Sequence, residues 1–340
     1  MMTEQVFRNK ITYLSFALMV SVVYIHAYNV GIYGLDASSG VYWLETYIYF
    51  LQGACVPFFF MISGYLFFRN FKWEKLQEKY KSRLRSIIVP YFLWCTIYYL
   101  AYVCITGIPS VHARMNREQV LLSADTWLRW LWEEQYYTLW FLKELIPMIL
   151  LAPVIYIFLK GRRRWKNFGL LFLTAVYLEE KGIFSVAYNP FNLYYLTGAF
   201  IGINYRDWPR INRAGIQTAA AAGLALLLAH AGYCVASGKS WDMLFIILLC
   251  ITIWYTLNIF KWDRIPKWWM GLSFYCYCLH DLILEALEKI FLIVLGKSSF
   301  AALIDYFCMP IVTICICILS AGILKKYCPA AFKLLTGGRG

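Results

Sequence analysis

The chain has 340 residues, of which 61% are hydrophobic and only 15% are charged, and its formal net charge is +13. A soluble domain carries about 25% charged residues, so this composition excludes an ordinary soluble protein and indicates a polytopic integral membrane protein. The positive charge does not indicate nucleic-acid binding, because Lys and Arg occur in short runs between apolar segments and not on a basic face of a soluble domain.

Ten apolar segments bounded by charged residues predict an all-α protein with about ten transmembrane helices. The fifth segment is short for a full crossing, since about 20 residues are needed to span the hydrocarbon core. We interpret the whole chain, 1–340, as a single transmembrane domain. In chain order the segments are 11–30, 44–68, 87–107, 138–159, 168–179, 184–204, 215–236, 241–260, 268–295 and 302–324.

The distribution of basic residues predicts that both termini lie in the cytoplasm. Lys and Arg accumulate in short cytoplasmic loops, and an N-terminus inside the cell assigns most of the 32 basic residues to inner loops. Each inner loop is then richer in Lys and Arg than its outer neighbours, except around 107–137, which also carries acidic residues. We therefore predict a multi-pass protein of the plasma membrane.

Ionisable residues in three of the predicted spans are candidates for function. His26 lies in the first span, where an uncompensated ionisable side chain costs roughly 2.5 kcal/mol or more, so it is a functional candidate. Lys143 and Glu144 lie in the fourth span. Because so many ionisable groups cannot all face lipid, we expect them to line a shared polar cavity. The ninth span carries the remainder, which are His280, Asp281, Glu285, Glu288 and Lys289.

Simpler interpretations of these residues stay open. His26 could be a neutral histidine that donates one hydrogen bond to a neighbouring helix, and His280 could be a buried histidine satisfied by a tyrosine. Glu285 and Lys289 are four residues apart and could pair on the helix surface. Lys143 could extend its amine toward the interface.

Small residues and cysteines in the spans predict packing and not metal binding. Gly198 and Gly202 form a small-xxx-small pair that would let two helices approach closely. The pairs Cys276 with Cys278 and Cys315 with Cys317 are two residues apart, so each pair points to nearly opposite faces of one helix and cannot chelate a metal ion from it. We predict no metal site.

Six short stretches, in their order and spacing, resemble the membrane acyltransferase-3 family, although each is weak by itself. The resemblance extends over nearly the whole chain. It implies a ten-span bacterial inner-membrane protein that transfers an acyl group, often acetyl from acetyl-CoA, to a hydroxyl of a surface saccharide or lipid-linked glycan. The stretches are VVYIHA (22–27), VPFFFMISGYLFF (56–68), RLRSIIVPYFLW (83–94), LWFLKEL (139–145), YLTGAFIG (195–202) and SFYCYCLH (273–280).

The resemblance also implies which residues form the catalytic site. His26 matches the family's catalytic histidine, which would act as the general base toward the acceptor hydroxyl. His280 and Glu144, within two of the matching stretches, are the other catalytic candidates.

The family usually has an arginine eleven residues before that histidine, and here the position is occupied by Ser15. An arginine there is well placed to hold a phosphate of acyl-CoA, a bidentate contact that serine cannot replace. Either Arg83 or Arg85 takes over donor binding, or the chemistry has changed or been lost. The expected partners are the bilayer, an acyl-CoA and a surface acceptor, with no nucleic acid.

Two other functions therefore remain as alternatives to an O-acyltransferase. One is a transporter or flippase with the same architecture, and the other is a non-catalytic membrane sensor. Ser15 favours these two, whereas His26 and the LWFL stretch favour the enzyme.

Overall fold

The computed structural model describes residues 1–109, 118–132, 137–160, 166–180 and 191–339. Every regular element in these ranges is helical, which confirms the predicted all-α class. The α-helices are α1 (Glu4–His26), α2 (Val30–Tyr33), α3 (Gly40–Gln52), α4 (Cys55–Phe68), α5 (Leu76–Arg83), α6 (Val89–Thr106), α7 (Ala124–Trp132), α8 (Trp140–Leu150), α9 (Ala152–Leu159), α10 (Lys166–Glu180), α11 (Phe191–Asn204), α12 (Ala214–Ser237), α13 (Met243–Thr256), α14 (Ser273–Leu295), α15 (Ser299–Tyr327) and α16 (Pro329–Thr336).

The chain divides into two compact units. The first unit comprises Met1–Trp73 and Leu151–Ile318, and the second comprises Glu74–Leu150 and Leu319–Gly340. In the first unit α1 packs against α3, α4 and α14, α4 packs against α11, and α12 packs against α13. In the second unit α6 packs against α7 and α16, and α5 packs against α8. A single domain over 1–340 stays a prediction.

Five helical segments in the described ranges are long and apolar enough to cross a bilayer. The pair α8 and α9 forms a sixth candidate if the 66° bend between the two helices lies within one span. Each of the ten predicted segments coincides with helix in the described ranges, but ten crossings and cytoplasmic termini remain a prediction. The five segments are Glu4–Tyr33, Gly40–Phe68, Trp73–Thr106, Ala214–Ser237 and Ser299–Tyr327.

Helix α1 begins at Glu4, seven residues before the predicted start. Thr3 caps it, since the Thr3 hydroxyl accepts a hydrogen bond of 3.3 Å from the Val6 amide. Lys10, which precedes the first predicted span and so counts among the basic residues expected on the cytoplasmic side, is buried in the first unit. Its amine donates to the Trp254 carbonyl and to Asn258 Oδ1, each at 2.5 Å, and lies 3.8 Å from the centre of the Trp254 ring. These contacts replace the water that a buried ammonium would lose.

The predicted span 44–68 is two helices, α3 and α4, and not one. Pro57 explains the interruption, because a proline lacks the amide hydrogen for the carbonyl four residues earlier and its ring clashes with that carbonyl. That earlier residue is Gly53, the C-cap that directly follows α3.

Glycines let α4 and α11 come into backbone contact. A Cβ atom at Gly64 would overlap the Tyr195 carbonyl, and one at Gly198 would overlap the Met61 carbonyl. At Gly202 the added atom would lie 2.8 Å from the Tyr65 carbonyl oxygen. The predicted packing role of Gly198 and Gly202 is therefore confirmed, with α4 as the partner helix.

A reporter fusion tests the predicted crossing pattern. Exposed Gly238 lies between α12 and α13, and exposed Ser298 lies between α14 and α15, so reporters there should be extracytoplasmic. Reporters after Arg213 or at the C-terminus should be cytoplasmic, because positively charged loops stay inside. Alkaline phosphatase and a cytoplasm-active fluorescent protein would be compared at each position. A cytoplasmic signal at Gly238 would rule out the ten-span arrangement.

Candidate functional site

Three ionisable side chains of the first unit meet where α1 ends. His26 is the last residue of α1, and its Nδ1 lies 3.5 Å from Oδ1 of Asp281 on α14. The His26 ring also packs edge-on against the ring of His280, with centroids 5.1 Å apart and an interplanar angle of 62°. His26 and Asp281 are largely buried, and His280 is fully buried. The structure thus brings together two of the three predicted catalytic residues.

Aromatic contacts between α1 and the segment leading into α14 set this meeting point. Tyr13 contacts Trp262 with ring centroids 5.3 Å apart, and Phe16 contacts Trp269 at 4.9 Å. Further along both segments, His26 lies beside α14 about two turns after its start at Ser273. The two ring contacts therefore help to align α1 with the segment that leads into α14.

The hydrogen bonds of His280 define its tautomer. His280 Nδ1 lies 2.7 Å from the Tyr277 carbonyl oxygen and 3.2 Å from that of Cys276. Carbonyl oxygens only accept, so Nδ1 carries the hydrogen and Nε2 keeps its lone pair. That Nε2 atom is buried and has no hydrogen-bond partner. His280 therefore presents an acceptor nitrogen inside the cluster, while its Nδ1 is satisfied by the backbone carbonyl of a tyrosine, Tyr277.

This cluster can support either of two chemistries. One ligand atom from each of His26, His280 and Asp281 lies within 4.8 Å of the others, and two imidazole nitrogens with a carboxylate are a donor set typical of zinc sites. The same geometry is a histidine held by a carboxylate, the arrangement that orients a general base. The His26 to Asp281 distance is longer than a strong hydrogen bond, as is common for catalytic contacts before substrate binds.

The other predicted site residues belong to the second unit, which is described by itself. Glu144 is half-buried on α8. Arg83 ends α5, and exposed Arg85 lies in the π-helical turn Leu84–Ile88 that follows. Single π-helical turns inside helices are frequent at functional sites. The proposed roles of these three residues remain predictions.

The simpler interpretation of Glu285 and Lys289 is confirmed, whereas the extension of Lys143 toward the interface stays a prediction. Lys289 donates to Glu285 at 2.7 Å, the pairing expected four residues apart on a helix surface. Lys143 donates to the Trp132 carbonyl oxygen at 2.9 Å, so its amine is held at the end of α7. Neither lysine contributes to the His26 cluster through these bonds.

Sequence reasoning missed two features of the first unit. Asp281 was noted as an intramembrane acid but not as the partner of His26. A second buried polar group, formed by Asn29, Glu45 and Asp305, was not predicted at all. A signal for it existed, because Glu45 and Asp305 are single acidic residues inside the predicted spans 44–68 and 302–324.

Comparison with known proteins gives a match that includes the residues of this site. Residues 9–322 match a family model with the description "Acyltransferase domain". The match includes α1 with His26 and α14 with His280 and Asp281, and it confirms the resemblance inferred from the six sequence stretches. No curated protein and no solved structure matches the chain.

Proposed function

The chain belongs to the acyltransferase-3 family, and from this premise we propose that it is a membrane O-acyltransferase with His26 as the general base. The donor is an acyl-CoA in the cytoplasm, acetyl-CoA in the simplest case. The acceptor is a hydroxyl of a cell-surface saccharide or lipid-linked glycan, and the enzyme resides in a bacterial inner membrane. The observation that carries the proposal is the contact of His26 with Asp281 at the end of α1.

The proposed reaction is one acyl transfer with one proton relay. A hydroxyl is a poor nucleophile near neutral pH, so His26 Nε2 takes its proton as the oxygen attacks the thioester carbonyl. The new bond joins that oxygen to the acyl carbon, and the bond from the acyl carbon to sulfur breaks. The CoA thiolate leaves and takes the proton from His26, which returns the imidazole to its starting state.

Asp281 and the C-terminal end of α1 stabilise the protonated form of His26 that arises during the reaction. Asp281 Oδ1 faces His26 Nδ1, which keeps a hydrogen on that nitrogen and directs the lone pair of Nε2 toward substrate. The carboxylate and the negative end of the α1 dipole both stabilise the imidazolium that forms. His280, whose Nε2 is an acceptor, would receive a hydrogen bond from the acceptor substrate and help to orient it.

Donor binding is assigned to Arg83 and Arg85, while the family's usual arginine position is serine in this chain. Guanidinium groups bind phosphate oxygens in a bidentate manner, and CoA carries several phosphates. Glu144 remains the third catalytic candidate, as a carboxylate in the LWFLKEL stretch. Its proposed role rests on its place in that stretch.

The test supplies labelled acetyl-CoA and a crude cell-envelope acceptor pool to the purified full chain in detergent. We expect acyl-CoA binding, release of CoA and label in the acceptor fraction. Changing both Arg83 and Arg85 to glutamine should weaken acyl-CoA binding about tenfold or more and flatten its salt dependence, because charge-assisted phosphate contacts are lost.

Arg213→Gln is the matched control, since Arg213 is an exposed arginine of the first unit and should leave binding unchanged. If the folded double variant binds acyl-CoA with unchanged affinity, Arg83 and Arg85 do not bind the donor and act only as topology signals. An absence of both acyl-CoA binding and transfer would argue against the enzyme.

A second function is favoured by one observation, the serine at position 15. A transporter or flippase needs no donor arginine, and it would move a small molecule or glycan without consuming acyl-CoA. Proteoliposomes loaded with a labelled glycan separate the two functions, because the transferase requires acyl-CoA for any labelled product and the transporter does not.

A further inference from the structure

A second polar cluster lies one turn beyond His26 in the first unit. Its members are Asn29, in the break between α1 and α2, Glu45 on α3, and Asp305 on α15. Glu45 is 0% exposed, and Asn29 and Asp305 are each 1% exposed. Two carboxylates removed from water at this depth carry a large desolvation cost unless a partner compensates it.

Asn29 joins the two carboxylates. Its backbone amide donates to Glu45 Oε2 at 3.4 Å, and its side-chain Nδ2 donates to Asp305 Oδ2 at 3.2 Å. Tyr33 donates its hydroxyl to the same Asp305 Oδ2 at 3.0 Å. The cluster is therefore held from one side by donors that fix one oxygen of each carboxylate.

The other oxygens of the cluster are buried and have no hydrogen-bond partner. They are Glu45 Oε1, Asp305 Oδ1 and Asn29 Oδ1. While both acids are ionised, all three are acceptors, so they need a donor or a positive charge and cannot satisfy one another. Within the described part of the chain, no Lys, Arg or His side chain pairs with either carboxylate.

We propose that Asn29, Glu45 and Asp305 bind a divalent cation of the calcium class. The ligands are all oxygens, which suit hard cations and not zinc or copper. Glu45 and Asp305 balance a double positive charge, and Glu288 of α14 is a further carboxylate within electrostatic reach of Asp305. The three side chains come from separate segments, and calcium tolerates the irregular geometry that results, whereas magnesium demands a near-ideal octahedron.

The site has a structural consequence for the end of α1. Asn29 is three residues after His26, so a bound cation ties the α1 terminus to α3 and α15. The proposal does not depend on acyl transfer, because cation binding and thermal stability are measured without substrate.

The test uses the full chain in detergent. A chelator first removes bound metal ions, and the chelator itself is then removed. Equilibrium binding of radioactive calcium should give one ion per chain. The melting temperature should rise with the logarithm of the calcium concentration above the dissociation constant, since the ion binds only the folded state. Magnesium at the same concentration should give a much smaller shift.

Asp305→Asn keeps the shape of the side chain but removes its charge, and it should lower calcium affinity at least tenfold. Asp125→Asn is the matched control, because Asp125 is a highly exposed carboxylate on α7 and should leave calcium binding unchanged. If Asp305→Asn does not fold, Glu45→Gln gives the same comparison.

Three results would overturn the proposal. These are no calcium bound to the folded wild-type chain, equal stabilisation by magnesium and calcium, and wild-type affinity in a folded Asp305→Asn or Glu45→Gln variant. With no bound calcium, the buried carboxylates would be neutralised by protons. Equal stabilisation would remove the assignment to the calcium class, and wild-type affinity in a variant would place the calcium site elsewhere.

Discussion

Replacing His26 by glutamine should lower acyl transfer by about two orders of magnitude or more while leaving folding and acyl-CoA binding nearly intact. Glutamine keeps a polar side chain of similar reach beside Asp281, but it cannot take a proton near neutral pH. A structural histidine predicts the opposite pattern, a loss of about 1 kcal/mol of stability with turnover per folded molecule unchanged. Transfer and a melting curve would be measured on the same preparation.

His230→Gln is the matched control for that experiment. His230 is a histidine of another long apolar helix in the first unit and lies outside the His26 cluster, and its ring stacks on Phe245 with centroids 4.5 Å apart. Its replacement should leave turnover unchanged. Full activity of the folded His26→Gln variant would end the proposed mechanism.

Metal analysis separates the two chemistries that the His26 cluster could support. If His26 is a ligand, the purified wild-type chain should carry about one transition-metal ion, and the His26→Gln variant should lose most of it. If His26 is the general base, metal content should not follow the substitution, and a chelator should leave transfer unchanged.

Replacing Gly198 by alanine should destabilise the chain by about 1–3 kcal/mol, because one added methyl group overlaps the Met61 carbonyl. Neither backbone can rotate away as a flexible side chain could, so α4 and α11 must separate. The loss of close helix contact also removes dispersion energy along the whole interface. The melting temperature in detergent would report the change.

Gly232→Ala is the comparison for this substitution. Gly232 is inside α12, and the nearest atom to an added Cβ is a Tyr47 ring carbon at 3.8 Å, an ordinary contact. Alanine is the better helix former, so this variant should be as stable as the wild type or slightly more stable. Equal melting temperatures for the two alanine variants would contradict the close approach of α4 and α11.

The sequence predicted those features of the fold that depend on local composition. The all-helical class, the helix in each apolar segment and the packing of Gly198 and Gly202 all follow from patterns within one segment. The break at Gly53 could also have been predicted, since Pro57 follows it by four residues. Charge patterning could not establish how many helices cross the bilayer, because helix length and bending depend on tertiary contacts.

The sequence predicted which residues belong to the site, but not which of them contact one another. His26 and His280 were named as candidates, yet their contact depends on the alignment of α1 with the segment before α14, and that alignment is set by Trp262 and Trp269 far along the chain. Asp281 became a functional residue only when α14 placed it beside His26. The Asn29 cluster was missed because its three residues come from three separate segments.

The buried amine of Lys10 bears on the order in which the protein is assembled. Its acceptor Trp254 follows it by 244 residues, which ribosomes need about 10 to 50 seconds to translate. Throughout that interval α1 is already made, but the carbonyl oxygen and ring that later surround the amine are not. Lys10 must therefore stay hydrated at first, and α1 reaches its final contacts with α13 only after α13 has been synthesised.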